Sequence, residues 1–372
     1  MIRGDAPPST ADASPVRSSV VLYKRYDIRA RRHTRVAAPG GRAAQQQGRS
    51  IHAVFSASHR HGRRDADSGN RDGARLSGAS RQPGRALCRG GPSDAIARLV
   101  GQSMSGTLGQ QLVVESVGGA GGTLGAARVA RSDPDGYTLL IAHVSLAAGA
   151  TLYPNLTYDT ATAFAPIGLI NQGPMVLLTR KDFDAPDAAT LIQKMKESGE
   201  EISVGHAGVG SNSHLCAVLL QKAMDTKFTL AAYQGTGPAM NDLMAGAIDV
   251  MCDQSTTSIP QLEGGTVKGH AVTSADRMEA LKDLPTLQEL GLDGFDFTIW
   301  HGLYAPVGTP PQVVDKLNAA LQVALDDQKI LDRFAAVGTS TFPADQRSPA
   351  AHDAKFQAEI KTWQQALGGK AE

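Results

Sequence analysis

Apolar positions along the chain follow clear periods from about residue 93 onward. Between 93 and 108 apolar side chains recur every three or four residues, which predicts a helix with Ser93 or Asp94 as its N-cap. Apolar runs bounded by Gly, Pro or Asp predict strands. The predicted strands are 111–114, 137–142, 164–179, 202–205, 228–232, 249–253 and 268–274, and further helices cover 123–129, 188–197, 215–224, 239–245 and 313–325.

This alternation of strands and helices predicts an α/β fold with parallel-rich sheets and ligands at the carboxyl ends of the strands. The 372 residues exceed the usual size of one domain, so two lobes are expected. A second lobe is expected to begin after Pro186, and the chain is expected to return to the first lobe at Trp300. The predicted division is 1–89 as a separate segment, 90–186 with 300–372 as lobe 1, and 187–299 as lobe 2.

The first ninety residues differ sharply from the remainder in charge. They hold 17 Arg and one Lys against six Asp, whereas the chain as a whole has a net charge of only +1, so residues 91–372 are acidic. The acidic part offers no electrostatic footprint for nucleic acid. Without a sustained period, residues 1–89 are interpreted either as a disordered basic arm that binds nucleic acid or acidic lipid, or as a misread segment.

The misread interpretation comes from the genetic code. Shifting the frame by one base across residues 76–89 is compatible with YPERPVNLVVPFAA, an apolar strand that runs directly into Gly90 and Gly91. The same shift across 56–70 permits an apolar stretch typical of a signal peptide. We therefore hypothesise that a frameshift replaced a signal peptide and a first strand; no export signal is readable as the sequence stands.

Several function classes lack their sequence signals. No apolar stretch is long enough to span a membrane, and no metal or nucleotide motif occurs, so neither a cofactor nor a metal is expected. Cys216 and Cys252 lie in apolar stretches and are interpreted as buried apolar side chains. A hydrolase that uses Ser211, His214 and Asp253 is the enzyme alternative, although no nucleophile elbow accompanies these residues.

Short motifs in a fixed order carry a family resemblance over about 90–372. They are GGPSDAIAR at 90–98, VE at 114–115, GAGGTLGA at 119–126, SDPDGYTLL at 132–140, LYPNLTYD at 152–159, FAPI at 164–167, GVGSNSHL at 208–215, YQGTGPA at 233–239, PT at 285–286, ELG at 289–291 and WHGLYAPVGTP at 300–310. Together they resemble the substrate-binding proteins of tripartite tricarboxylate transporters, often called the Bug family.

The resemblance implies a two-lobed periplasmic-binding-protein fold of type II with a hinge. It also implies a periplasmic protein, expected to be a monomer, that binds a small carboxylate between the lobes and passes it to membrane permease subunits, without enzymatic activity. The glycine-rich loops suit this function because exposed backbone N–H groups at helix N-termini bind anions. The implied ligand-binding residues are Gly90, Gly91, Ser93, Asp94, Ser145, Gly210, Ser211, Asn212, His214 and Asp253.

Each of these residues also has a purely structural interpretation. Ser93, Asp94, Ser211 and Asn212 could serve as helix caps alone, and His214 as a packing residue. One departure from the family pattern follows the strand at 137–142. Ser145 keeps a hydroxyl there, but Leu146 and Gly149 replace a His and an Asn. This predicts a ligand with an apolar body, or one smaller than citrate.

Overall fold

The computed structural model describes residues 19–24, 91–117 and 119–368. The helices are α1 (Pro92–Leu108), α2 (Thr123–Ala130), α3 (Ser145–Leu152), α4 (Ala188–Ser198), α5 (Asn212–Met224), α6 (Thr236–Ala245), α7 (Ser255–Glu263), α8 (Pro311–Leu325), α9 (Gln328–Ala336) and α10 (Pro349–Leu367). The strands are β1 (Ser19–Lys24), β2 (Leu112–Val117), β3 (Thr138–His143), β4 (Phe164–Arg180), β5 (Ser203–His206), β6 (Thr229–Ala232), β7 (Val250–Gln254), β8 (Val267–Val272), β9 (Thr298–Pro306) and β10 (Ser340–Thr341).

The strands form two sheet regions that share the long strand β4. The first part of β4 pairs with β9, which continues through β3 and β1 to β2. The second part, from Met175 to Arg180, pairs with β7 and β8, and β5 and β6 extend that side. The pairing partners of β4 change between Pro174 and Met175, before the predicted lobe boundary at 186/187. The lobe boundaries at 186/187 and 299/300 stay predictions.

The sheets are mixed and mostly antiparallel among the described strands, so the α/β class is confirmed but the expectation of parallel-rich sheets is wrong. Parallel pairing among the described strands is confined to β5 with β6 and β7, and the other pairings are antiparallel. The long strand β4 pairs antiparallel with β9 in the first sheet region and with β7 and β8 in the second. The strand-and-helix alternation in the sequence reveals the α/β class but not this sharing of β4 by the two regions.

Strand β1 lies where no element was expected. It pairs antiparallel with β2 from Ser19 to Lys24 and with β3 from Val20 to Tyr23, so it occupies an interior position of the sheet. The expectation that the first ninety residues contain no regular element is therefore wrong at this strand. The frame-shifted stretches at 56–70 and 76–89 lie outside the described residues.

The N-cap of helix α1 lies two or three residues before the predicted one. Gly91 is the N-cap, with φ at 89°, and Pro92 occupies the first helical position, where its missing N–H costs no hydrogen bond. Ser93 and Asp94 therefore lie inside the first turn rather than at the cap. The carboxylate of Asp94 accepts two hydrogen bonds from Arg98, at 2.8 and 2.9 Å, and one from the Ser116 hydroxyl at 2.6 Å.

The two cysteines of the second sheet region form a disulfide. Cys216 of α5 and Cys252 of β7 are both fully buried, as expected, but they are bonded to each other across 36 residues of sequence. The interpretation of both as unpaired apolar side chains is therefore wrong. A disulfide between α5 and β7 favours an oxidising compartment.

His352 of α10 is fully buried against β9. Its ring lies 4.4 Å from that of Tyr304, centroid to centroid, and a Cβ at Gly302 would overlap the imidazole. Neither ring nitrogen has a hydrogen-bond partner in the described part of the chain. Burial lowers the pKa of His352 to about 3.

Acid is therefore expected to destabilise the fold through His352. Below its ordinary pKa of 6.5 the unfolded chain binds a proton at this residue, whereas the folded chain excludes it until about pH 3. Between pH 7 and pH 4.5 the protein is expected to lose about 3 kcal/mol more of its unfolding free energy than the His352→Leu variant. Urea unfolding at the two pH values measures the difference, and equal losses in both proteins would contradict this assignment.

None of the helices in the described part of the chain is both long enough and apolar enough to cross a membrane.

Candidate functional site

A cleft lies between α1 on one side and α5 and α6 on the other. It encloses about 410 Å³, including space that is open to solvent. Both sheet regions contribute to the cleft, through the ends of β3 and β7 and the loop that follows β5. Its lining residues are Gly91, Pro92, Ser93, His143, Met175, Ala207, Ser211, Asn212, Ser213, Thr236, Asp253 and Gln254.

Helix N-termini dominate the lining of this cleft. Helices α1, α5 and α6 present their first residues to it, and Gln254 is the N-cap of α7. Each helix N-terminus carries about half a positive charge and N–H groups that lack partners within the helix. No lysine or arginine lies among the described lining residues. An arrangement of this kind can hold an anion by backbone and neutral side-chain donors rather than by an ion pair.

Asn212 is the first residue of α5 and is 3% exposed. Its side-chain oxygen and nitrogen both lack a hydrogen-bond partner among the described residues. Leaving a buried polar group unpaired costs about 1–3 kcal/mol. Ser211 supplies the structural cap, because its Oγ accepts a hydrogen bond from the backbone N–H of His214 at 3.3 Å. Asn212 is thus not needed as a cap, and its amide is available to a ligand.

Asp253 lies near the end of β7 and is 2% exposed. Its carboxylate accepts a hydrogen bond from the Thr257 hydroxyl, and no salt bridge in the described part of the chain includes it. Burial raises the pKa of Asp253 to about 7, partly opposed by the hydrogen bonds from Thr257 and Gln254. A carboxyl group with this pKa changes charge readily when a ligand arrives.

A chain of polar side chains extends from the cleft towards the first sheet region. Ser93 Oγ lies 3.2 Å from His301 Nε2, and the His301 ring meets the edge of the His143 ring with centroids 5.6 Å apart. His143 Nδ1 lies 2.8 Å from Ser145 Oγ. Burial holds the pKa of His301 well below its usual value. His143 also lines a second, smaller pocket of about 270 Å³ that Ser145, Thr123 and Tyr158 share.

The predicted site residues divide into two groups. Gly91, Ser93, Ser211, Asn212 and Asp253 come together in the cleft. The structure does not bring the others into it, and Gly90 lies outside the described residues. Asp94 accepts hydrogen bonds from Arg98 and Ser116, and Ser145 lines the second pocket. Gly210 lies against Tyr153, and His214 packs on His206 with ring centroids 4.8 Å apart.

The geometry does not assemble the hydrolase considered from the sequence. His214 Nδ1 accepts a hydrogen bond from the backbone N–H of Gly210, and Ser211 Oγ lies 3.1 Å from Ser213 Oγ. The carboxylate of Asp253 accepts a hydrogen bond from the Thr257 hydroxyl rather than from a histidine. Burial and the neighbouring His206 lower the pKa of His214 to about 4. A nucleophile needs a base within hydrogen-bond reach, and these three side chains do not supply that arrangement.

A contact near the cleft joins the two sides of the molecule. The Tyr153 hydroxyl donates a hydrogen bond of 2.6 Å to the backbone carbonyl of Val209. Gly210, with φ at 73°, packs on the Tyr153 ring, and a Cβ there would lie 3.0 Å from Tyr153 Cε2. A side chain at Gly121 would likewise collide with the carbonyl of Val209. The glycines therefore permit this close approach of the two sides.

Sequence reasoning missed several residues that line the cleft. His143 ends the apolar run of β3, and Gln254 ends that of β7. Thr236 begins α6 directly after a glycine. Each carries the same sequence signal as Asp253 and Asn212, a polar residue at a strand end or a helix start, so all three are recognisable from the sequence.

Comparison with known protein families gives one match that covers most of the chain. The sequence model of the family described as "Tripartite tricarboxylate transporter family receptor" matches residues 96–365. A protein from the TAR-I ttuE-ttuC' intergenic region of Agrobacterium vitis is 48% identical over 272 residues, which are 73% of this chain and 79% of that protein.

Solved structures give the same fold. The periplasmic binding protein BugD is 41% identical, with a TM-score of 0.72 over 76% of this chain and 94% of its own. MatC from Rhodopseudomonas palustris, solved with bound malate, is 38% identical, with a TM-score of 0.72 over 76% and 96%. An R. palustris protein solved with adipate is 30% identical, with a TM-score of 0.71 over 75% and 92%. These likenesses confirm the predicted two-lobed α/β fold.

Proposed function

Because the chain belongs to the tripartite tricarboxylate transporter receptor family, whose members are periplasmic solute-binding proteins, we propose that it binds a small carboxylate in the cleft between α1 and α5. Two similar proteins were solved with the dicarboxylates malate and adipate. We extend the ligand class of these proteins, small carboxylates, to this chain, but not their individual ligands.

One observation carries the proposal. The Asn212 amide is buried in the cleft without a hydrogen-bond partner among the described residues, at the N-terminus of α5 and beside three further helix N-termini. A carboxylate in this position would accept hydrogen bonds from Asn212 and from the backbone N–H groups around it. Such charge-assisted bonds contribute about 1.5–3 kcal/mol each. The absence of lysine and arginine among the described lining residues fits an anion held by dipoles.

Asn212→Ala is expected to weaken carboxylate binding by about tenfold or more, because it removes a donor to the charged group. A panel of mono-, di- and tricarboxylates is first screened by thermal shift against the full chain, with the matching methyl esters as uncharged controls. A ligand at 100 times its dissociation constant stabilises the fold by about 2.7 kcal/mol. Calorimetry with the best ligand then compares the variant with the unchanged protein. A folded protein that no carboxylate stabilises would contradict the proposal.

Tyr153→Phe is expected to weaken binding of the same ligand about fivefold by raising its dissociation rate. The variant loses the hydrogen bond to the Val209 carbonyl that holds the two sides together, and a neutral hydrogen bond contributes about 1 kcal/mol. The ring that packs on Gly210 is kept. Stopped-flow measurement separates the two rates. A dissociation rate equal to that of the unchanged protein would show that the contact does not retain the ligand.

We extend the proposal to location and partners. The protein acts in the periplasm as a monomer and delivers its ligand to membrane permease subunits of the transporter. The buried disulfide between Cys216 and Cys252 supports an oxidising compartment. The family and the separation of Ser211, His214 and Asp253 favour binding over hydrolysis. The alternative of nucleic-acid binding concerns residues 1–90, of which the structure describes only 19–24.

A further inference from the structure

The side-chain amide of Asn212 requires both a hydrogen-bond acceptor and a hydrogen-bond donor from a ligand. Its nitrogen must donate and its oxygen must accept, and neither has a partner in the described part of the chain. Exchanging the two atoms by rotating the amide changes their positions but not the demand. At 3% exposure, bulk water meets neither requirement well. A ligand that satisfies the whole group therefore presents both an acceptor and a donor to Asn212.

A second acceptor faces the same space. Asp253 lines the cleft, and the cleft shows no lysine or arginine among its described lining residues. The carboxyl group of Asp253 has the Thr257 hydroxyl as a donor but no counter-ion in the described part of the chain. When Asp253 is ionised, an anionic ligand that brings only acceptors would add its negative charge beside this group. A hydrogen-bond donor on the ligand would instead be attracted to it.

An ionised carboxylate is an acceptor only. It can receive hydrogen bonds from the Asn212 nitrogen and from the helix N-termini, but it leaves the Asn212 oxygen unpaired. A hydroxyl or ammonium group close to the carboxylate supplies the missing donor. A site with buried polar groups rejects an analogue that lacks the matching group, because its own groups are then left unpaired.

We propose that Asn212 selects carboxylates that carry a hydroxyl or ammonium donor near the carboxylate, namely hydroxy acids or amino acids, over unsubstituted carboxylates of the same length. The inference rests on the proposed carboxylate-binding function and narrows its ligand class. Asp253, as the second acceptor in the cleft, reinforces the same choice and favours ammonium over hydroxyl when it is ionised.

Four-carbon dicarboxylates test the selection, because they differ only at the second carbon. Isothermal titration of the full chain with L-malate, D-malate, L-aspartate and succinate is expected to give at least tenfold tighter binding for a donor-bearing ligand than for succinate. Whichever of malate or aspartate binds more tightly identifies the donor as hydroxyl or ammonium, and either result supports the inference.

Variants assign the selection to Asn212. Asn212→Ala is expected to reduce the preference over succinate to threefold or less. Asn212→Asp keeps an acceptor, so it is expected to weaken all four ligands while the preference stays at tenfold or more. Asn155→Ala, at an exposed position outside the cleft lining, is the control and is expected to change nothing.

The outcomes separate the inference from the function on which it rests. Equal affinity for succinate and for the donor-bearing ligands would overturn the inference while the carboxylate-binding function stands. A preference that survives in Asn212→Ala would overturn the role of Asn212. Failure of these four ligands and of every other carboxylate in the panel to bind would overturn the proposed function itself.

Discussion

A variant that lacks residues 1–24 is expected to lose cooperative folding. This deletion removes β1, which pairs with β2 over Ser19–Lys24 and with β3 over Val20–Tyr23. Both neighbours would then expose unpaired backbone N–H and C=O groups in the middle of a sheet. The free energy of unfolding of a domain is only about 5–15 kcal/mol, and the loss of an interior strand is expected to cost at least that much.

A matched control keeps the strand and removes only what precedes it. Deletion of residues 1–18 retains β1 and is expected to melt at the same temperature as the full chain, whereas deletion of 1–24 is expected to give no cooperative transition. Circular dichroism melting curves at equal concentration compare the three proteins. If the shorter chain melted like the full one, β1 would not contribute to the fold.

The frameshift hypothesis predicts a specific rescue of the same deletion. The shifted segment YPERPVNLVVPFAA would run directly into α1, and so would lie parallel to β2 through a strand–helix–strand crossover. It would take the position that β1 occupies in the antiparallel direction. Placing this segment at residues 76–89 of the variant that lacks 1–24 is expected to restore a cooperative melt. No rescue would remove this support for the frameshift.

Elements with a strong hydrophobic period could be predicted from the sequence. The predicted strand at 164–179 agrees with β4 (Phe164–Arg180), and the predicted helix at 313–325 agrees with α8 (Pro311–Leu325). Strand β1 could not be predicted because it is short and its Arg-rich flanking sequence has no hydrophobic period. Helix α7 escaped because Pro260 interrupts its pattern. Residues from distant strands pair only in three dimensions, so the mixed pairing was beyond a reading of local patterns.

The site could be predicted in part for the same reason. Polar residues at helix starts, such as Ser211 and Asn212, mark the cleft because N-termini face it. Asp94 has the same appearance in sequence, yet Arg98 lies one helical turn later and neutralises it. That spacing is readable in advance and could have excluded Asp94. The shared position of Ser93 and Asn212 across the cleft, in contrast, depends on how the two sheet regions meet.

Loss of the disulfide is expected to lower the free energy of unfolding substantially. Cys216 and Cys252 close a loop across 36 residues, for which the chain-entropy model gives about 4 kcal/mol of stabilisation through the unfolded state. The double variant Cys216→Ala, Cys252→Ala is expected to lose an amount of this order. Guanidinium unfolding of the oxidised protein, the reduced protein and the double variant measures it. A reductant that shifted the midpoint of the double variant as well would point to another cause.

The same bond also links two elements that lie on one side of the candidate anion site. Asn212 lies one turn before Cys216 on α5, and Asp253 follows Cys252 directly on β7. Removing the bond therefore loosens the two cleft residues relative to each other, and affinity for the best carboxylate is expected to fall several-fold in the double variant at a temperature where it remains folded. Titration calorimetry at 15 °C checks this, with Tyr153→Phe as a comparison that weakens binding but leaves the disulfide intact. Unchanged affinity beside reduced stability would restrict the disulfide to a folding role and leave α5 and β7 held in place by packing alone.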